Sequence, residues 1–198
     1  MKKIFIGLGA TLAIAGFSNA ANETWKIVAN EAFSVATVES NSDIENFTGR
    51  TSKISGEIVF DRSAKTGSVS IVVDGSSIDT GVPLRNEHMR SADWLNFDNN
   101  KDIKFVSTRV RNTSGDNYSV TGNLTMRGVT KVVTATGSLK LTAASKVTES
   151  MGIKGDVVAL NTKFSIKLSD FGVKHPAIQA GRVNDKLDII LRVVATNK

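Results

Sequence analysis

The chain has 198 residues, no cysteine, a formal charge of +6, 40% apolar residues and only 6% aromatic residues. That length suits one sizeable domain with a core of its own. The lack of cysteine excludes a disulfide framework and thiol chemistry. Basic residues scattered singly rather than in runs argue against a nucleic-acid surface.

Met1-Lys2-Lys3 is a basic opening, Ile4 to Phe17 is apolar apart from small residues, and Ser18-Asn19-Ala20 offers small residues where a signal peptidase cleaves. The pattern predicts a signal peptide over 1–20, cut after Ala20, and a mature domain of residues 21–198 in the periplasm or outside the cell. Losing Lys2 and Lys3 lowers the formal charge from +6 to +4. The apolar run is short for a membrane span, which needs about 20 residues.

After residue 22 the chain reads as strand, turn, strand. Short alternation occurs at Trp25-Lys26-Ile27 and Phe33-Ser34-Val35, and Phe47 to Gly49 leads into Gly56-Glu57-Ile58-Val59-Phe60-Asp61. Val69, Ile71 and Val73 share a face, as do Tyr118, Val120, Gly122 and Leu124 beyond a strand from Ile103 to Arg111 and a polar turn from Asn112 to Asn117. Val133, Ala135, Gly137, Leu139 and Leu141 oppose Thr134, Thr136, Ser138 and Lys140. Val158, Leu160, Phe164 and Ile166 repeat the pattern, and Leu187, Ile189, Leu191 and Val193 close the chain. A period of two means one dry face and one wet face. About eight such strands joined by hairpin-like turns predict an all-β antiparallel barrel or sandwich. Small residues on the dry face (Gly122, Ala135, Gly137) predict a barrel with volume left inside it, within the size that holds one small ligand. An outer-membrane barrel would need aromatic girdles, and aromatics are too sparse.

The stretch from Thr80 to Phe105 departs from alternation and mixes apolar, cationic and aromatic residues. It predicts a short helical segment near the mouth, with Pro83 in the first helical position and Ser91 capping a turn to Asn96. Arg85, His88 and Arg90 form its polar cluster. They are either a solvated loop paired with Glu87 and Asp93 or contacts for a ligand's head at the rim. Met89, Trp94, Leu95 and Phe97 either gate that rim or simply pack the loop onto the sheet.

His88 and His175 have no second histidine or cysteine at ligand spacing, so no metal site is expected. Neither a Gly-x-Ser-x-Gly elbow nor a glycine-rich phosphate loop occurs in the mature chain, so neither catalysis nor a cofactor is expected.

The mature chain resembles the YceI-like family. The resemblance is carried by Trp25-Lys26-Ile27, Gly56 to Asp61, Ser77-Ile78-Asp79-Thr80-Gly81, Arg85 to Leu95, Gly122 to Lys131 and Ser169-Asp170-Phe171-Gly172-Val173, in order. It departs from the family pattern at Glu39, Asn86, Asp102 and Leu168. The resemblance implies an extended lipocalin-like barrel that binds, without catalysis, a long-chain amphiphile such as a polyisoprenoid, fatty acid or fatty amide. On that reading the candidate contacts are Phe33, Phe47, Phe60, Leu84, Arg85, Asn86, His88, Met89, Trp94, Phe97, Phe105, Leu124, Phe164 and Phe171. Each buried methylene contributes about 0.8 kcal/mol, so a long tail needs few polar contacts. Transient contact with a membrane surface and pairing into a homodimer are compatible with this reading. The alternative is a secreted structural or adhesive module whose dry face packs on itself.

Overall fold

Among the described residues ten antiparallel strands form one sheet, and eight of them close into a barrel. The structure, a computed structural model, describes residues 22–198; the expected signal peptide and its cleavage point lie outside the described residues. The strands are β1 (Glu23–Ile27), β2 (Val35–Ser40), β3 (Phe47–Thr51), β4 (Ile54–Asp61), β5 (Thr66–Asp74), β6 (Asp102–Ser114), β7 (Asn117–Met126), β8 (Val129–Thr142), β9 (Val157–Lys167) and β10 (Lys186–Thr196). The barrel runs β1-β4-β5-β6-β7-β8-β9-β10 and closes where Lys26 and Ile27 pair with Thr196 and Ala195. Only the end of β10 takes β1. Its first half, Asp188 to Arg192, pairs instead with β2, which carries β3. Arg50 of β3 then bridges to Asp79, beyond β5, so the hairpin closes the other end of the wall.

The two ends are filled differently. Around the β1–β10 seam, Trp25, Ile58, Phe60, Tyr118, Val158 and Val193 form a solid core. Phe60 and Tyr118 meet edge to face, with ring centroids 5.8 Å apart. Arg62 covers this end, its guanidinium 5.1 Å from the Trp25 ring and paired with Glu23 at 2.8 Å and Asp156 at 2.7 Å. A second core, which includes Leu95, Phe97, Leu168, Phe171 and Val173, lies under the loops of the opposite end.

Those loops carry α1 (Pro83–Arg90) and α3 (Pro176–Gln179); α2 (Lys146–Ser150) lies between β8 and β9. Both prolines occupy first-turn positions, where no N–H is needed. Ser91 ends α1 and opens the turn to Asn96: its carbonyl accepts from the N–H groups of Trp94 and Asn96, while its hydroxyl donates back to the His88 carbonyl.

Three sequence expectations change. Phe33 lies in the turn between β1 and β2, because the strand begins only at Val35. Leu141 stands exposed near the end of β8. Gly122 and Gly137 do not leave space. A Cβ on Gly122 would lie 2.5 Å from the Phe105 ring, and one on Gly137 would lie 2.0 Å from the Asn161 carbonyl. They are glycines because neighbouring groups already use the room. Ala135 does border open volume.

Candidate functional site

Above the solid end, the inward residues of the strands stop meeting across the barrel. An inner cavity of about 120 Å³ is lined by aliphatic and aromatic groups, among them Val69 and Ile71 of β5, Phe105 of β6, Val120 and Leu124 of β7, Ala135 of β8, Leu160 and Phe164 of β9, and Leu191 of β10. Its hydroxyl-bearing neighbours are Thr37, Thr51 and Thr162. Thr51 is already engaged: its Oγ1 shares a 2.6 Å hydrogen bond with Ser77 and accepts from the Lys53 N–H. For scale, an engineered apolar cavity of about 150 Å³ holds benzene, so this lobe suits the end of a hydrocarbon tail.

A wider lobe of about 570 Å³ adjoins it, sharing Val38, Ile78, Ile103, Met126, Ile166 and Ile189. That volume lies within the range of small-molecule sites, roughly 300–1,000 Å³. Its walls change character outward, from the shared aliphatic ring to Phe47, Leu84, Met89, Trp94 and Phe97, and then to Glu45, Arg85, His88, Asp93, His175 and Arg182. Three segments build this rim: the β2–β3 turn, the stretch from Val82 to Phe97, and the stretch from His175 to Val183.

Local contacts fix the rim residues. Arg85 lies 4.7 Å from the Phe47 ring centroid and donates to Glu45 at 3.0 Å. Trp94 stacks on His175, with centroids 4.2 Å apart and planes 26° apart. His175 caps α3, its Nδ1 accepting from the Ala177 N–H at 3.1 Å. Arg127, in the β7–β8 turn, donates to the carbonyls of Ala92 at 2.9 Å and Gly172 at 3.2 Å, and so ties two rim segments together.

Of the residues singled out by sequence, Phe105, Leu124 and Phe164 line the inner lobe, and Phe47, Leu84, Arg85, His88, Met89, Trp94 and Phe97 line the outer one. Phe33, Phe60, Asn86 and Phe171 line neither. Phe33 is in a turn. Phe60 belongs to the solid end. Phe171 is 1% exposed in the core beneath the loops, turned inward where Gly172 adopts a left-handed φ of 76°. Asn86 points away from the cavity: its Oδ1 accepts from the N–H and hydroxyl of Thr80, and its Nδ2 donates to Asp79 at 2.7 Å. That bond, followed by the Gly81 N–H, holds the Asp79 carboxyl below the usual aspartate range.

Several lining residues were not singled out. Val69, Ile71, Ala135, Leu160 and Leu191 were readable as dry-face positions. Glu45, His175 and Arg182 carry no local signal, because the fold alone brings their loops together. Among the described residues no cluster of three or more His, Asp or Glu is arranged to hold a metal.

The family model of the YceI-like domain matches residues 25–195. A UPF0312 protein of Serratia proteamaculans is 31% identical over 196 residues, covering 98% of this chain and 96% of that one. Among solved structures, BcnA of Burkholderia cenocepacia superposes with a TM-score of 0.72 at 25% identity, covering 84% of this chain and 99% of that one. A polyisoprenoid-binding domain from Saccharophagus degradans shares the fold, with a TM-score of 0.60 at 15% identity and coverage of 89% and 99%. Barrel, cavity and the matched span together place this chain in the YceI-like family.

Proposed function

We propose that the protein binds and carries one long-chain amphiphile in the periplasm, with the tail in the inner lobe and the head at the rim. The observation that supports this most is the gradient along one cavity, from an almost wholly apolar blind end to a mouth bordered by charged side chains. That is the polarity profile of an amphiphile. The family and the Saccharophagus domain support a lipid or isoprenoid ligand and a binding role rather than catalysis. Affinity then comes from the tail, at about 0.8 kcal/mol per methylene, and selectivity among tails is loose.

The reading is tested by extracting protein purified from its native host with organic solvent and analysing the extract by mass spectrometry. One long-chain lipid per protein is expected. A clean extract, together with failure of a neutral fluorescent apolar dye to bind the extracted protein, would favour the packed secreted module instead.

A further inference from the structure

The charges at the mouth are already balanced. Arg85 and Arg182 share one carboxylate: Arg85 Nη2 is 3.0 Å from Glu45 Oε1, and Arg182 Nη2 is 3.9 Å from Glu45 Oε2. One face of the Arg85 guanidinium is covered by Phe47. The other carboxylate on the lining is Asp93. The lining's arginines and carboxylates balance, two cations and two anions drawn from three separate segments.

An anionic head group, whether carboxylate or phosphate, would meet arginines whose charge is already compensated: Arg85 is paired with Glu45 at 3.0 Å, and Arg182, largely exposed, stands 3.9 Å from the same carboxylate. The head group would stand beside Glu45 and Asp93, and it would give up water against Phe47, Leu84, Met89 and Trp94. Desolvating a charge without a new partner is costly, and like charges placed together at an interface add to that cost. An uncharged polar head loses far less. An amide or alcohol can accept from Arg85, whose fork carries five N–H donors, and can donate to the Glu45 carboxylate. We propose that the site selects amphiphiles with an uncharged, hydrogen-bonding head and disfavours anionic ones, and that Glu45 sets this discrimination. The inference rests on the cavity being the lipid site and concerns only what the rim adds.

The test uses four amphiphiles with matched saturated tails, palmitamide, hexadecanol, palmitate and hexadecyl phosphate, each displacing a neutral fluorescent apolar dye from the delipidated protein near neutral pH. Palmitamide and hexadecanol should displace the dye at concentrations about tenfold lower, or more, than the two anions. In Glu45→Gln the Arg85 cation loses its counter-charge, so hexadecyl phosphate should gain about tenfold relative to palmitamide. Equal or tighter binding of the anions by the unaltered protein would overturn the proposal, as would unchanged anion affinity relative to palmitamide in Glu45→Gln. Failure of the dye and of all four amphiphiles to bind would count against the lipid cavity itself, a different result from tight binding with the wrong preference.

Discussion

Phenylalanines taken from the sequence as ligand contacts end in three physical settings. Phe164 and Phe105 face open volume, Phe60 is 2% exposed at the solid end, and Phe171 is buried under the loops. Alternation marks Phe60, Phe105 and Phe164 equally as inward, while Phe171 was marked only by the family resemblance and lies in a short helical turn after β9. Alternation carries no information about whether the opposite wall is within reach. The settings predict separable phenotypes. Phe164→Asp puts a charge into the apolar ligand path and should remove dye and lipid binding even from the protein that stays folded, with a lowered urea midpoint because the inner lobe offers the carboxylate no partner. Phe60→Ala should cost about 3–5 kcal/mol of stability and leave affinity of the folded fraction near the original. Equal loss of binding in both variants would contradict the division of the barrel. Asn86 adds a prediction with a pH sign. Asn86→Asp replaces the donor to Asp79 with a second carboxylate. The original Asp79 is depressed, so its contribution is present above the ordinary aspartate range and fades as acid protonates it. In the variant the two carboxylates repel when ionised, so the thermal midpoint should fall at neutral pH and the deficit should shrink on acidification. A deficit that grows in acid would refute the account.

The strands from β4 to β10 were legible because each alternates over enough residues to fix its faces. The β2–β3 hairpin was not: β2 is half-buried at five successive positions, so neither of its faces reads as the dry one. The helical start at Pro83 was readable from proline chemistry, but the joining of its segment to the stretch before α3 was not. That joining depends on Arg127, which sits at a left-handed φ of 56° in a tight turn and reaches both Ala92 and Gly172. The Trp94–His175 stack crosses the same gap. Arg127→Ala removes two side-chain bonds to exposed carbonyls that water can satisfy, so global stability should change little, by about 1 kcal/mol. The rim segments should separate more often, and release of a bound dye in stopped-flow displacement should quicken several-fold, with association quickened in step. Release unchanged in Arg127→Ala would mean the clamp does not govern access.

At the scale of the whole molecule, a barrel filled at one end and vacant at the other defines how deep a tail can go. Side chains above the solid end, Val69, Val120 and Leu160, form part of the floor, and Ala135 pairs with Val120 beside it. Ala135 is one of the small residues on this wall. Ala135→Leu should fill part of the inner lobe without crossing the strand plane, and filling an apolar vacancy should leave the thermal midpoint equal or higher. Tails long enough to reach the floor would be pushed outward, each expelled methylene costing about fourfold in affinity. Shorter tails that never reached the floor would bind as before. The measurement is dye displacement by saturated alcohols of increasing length, in the original protein and the variant. A break in the affinity-against-length line that moves to shorter chains in Ala135→Leu locates the blind end of the tunnel. Uniform weakening at every length would instead show that the substitution distorts the barrel, and that the vacancy seen above the solid end does not measure the ligand.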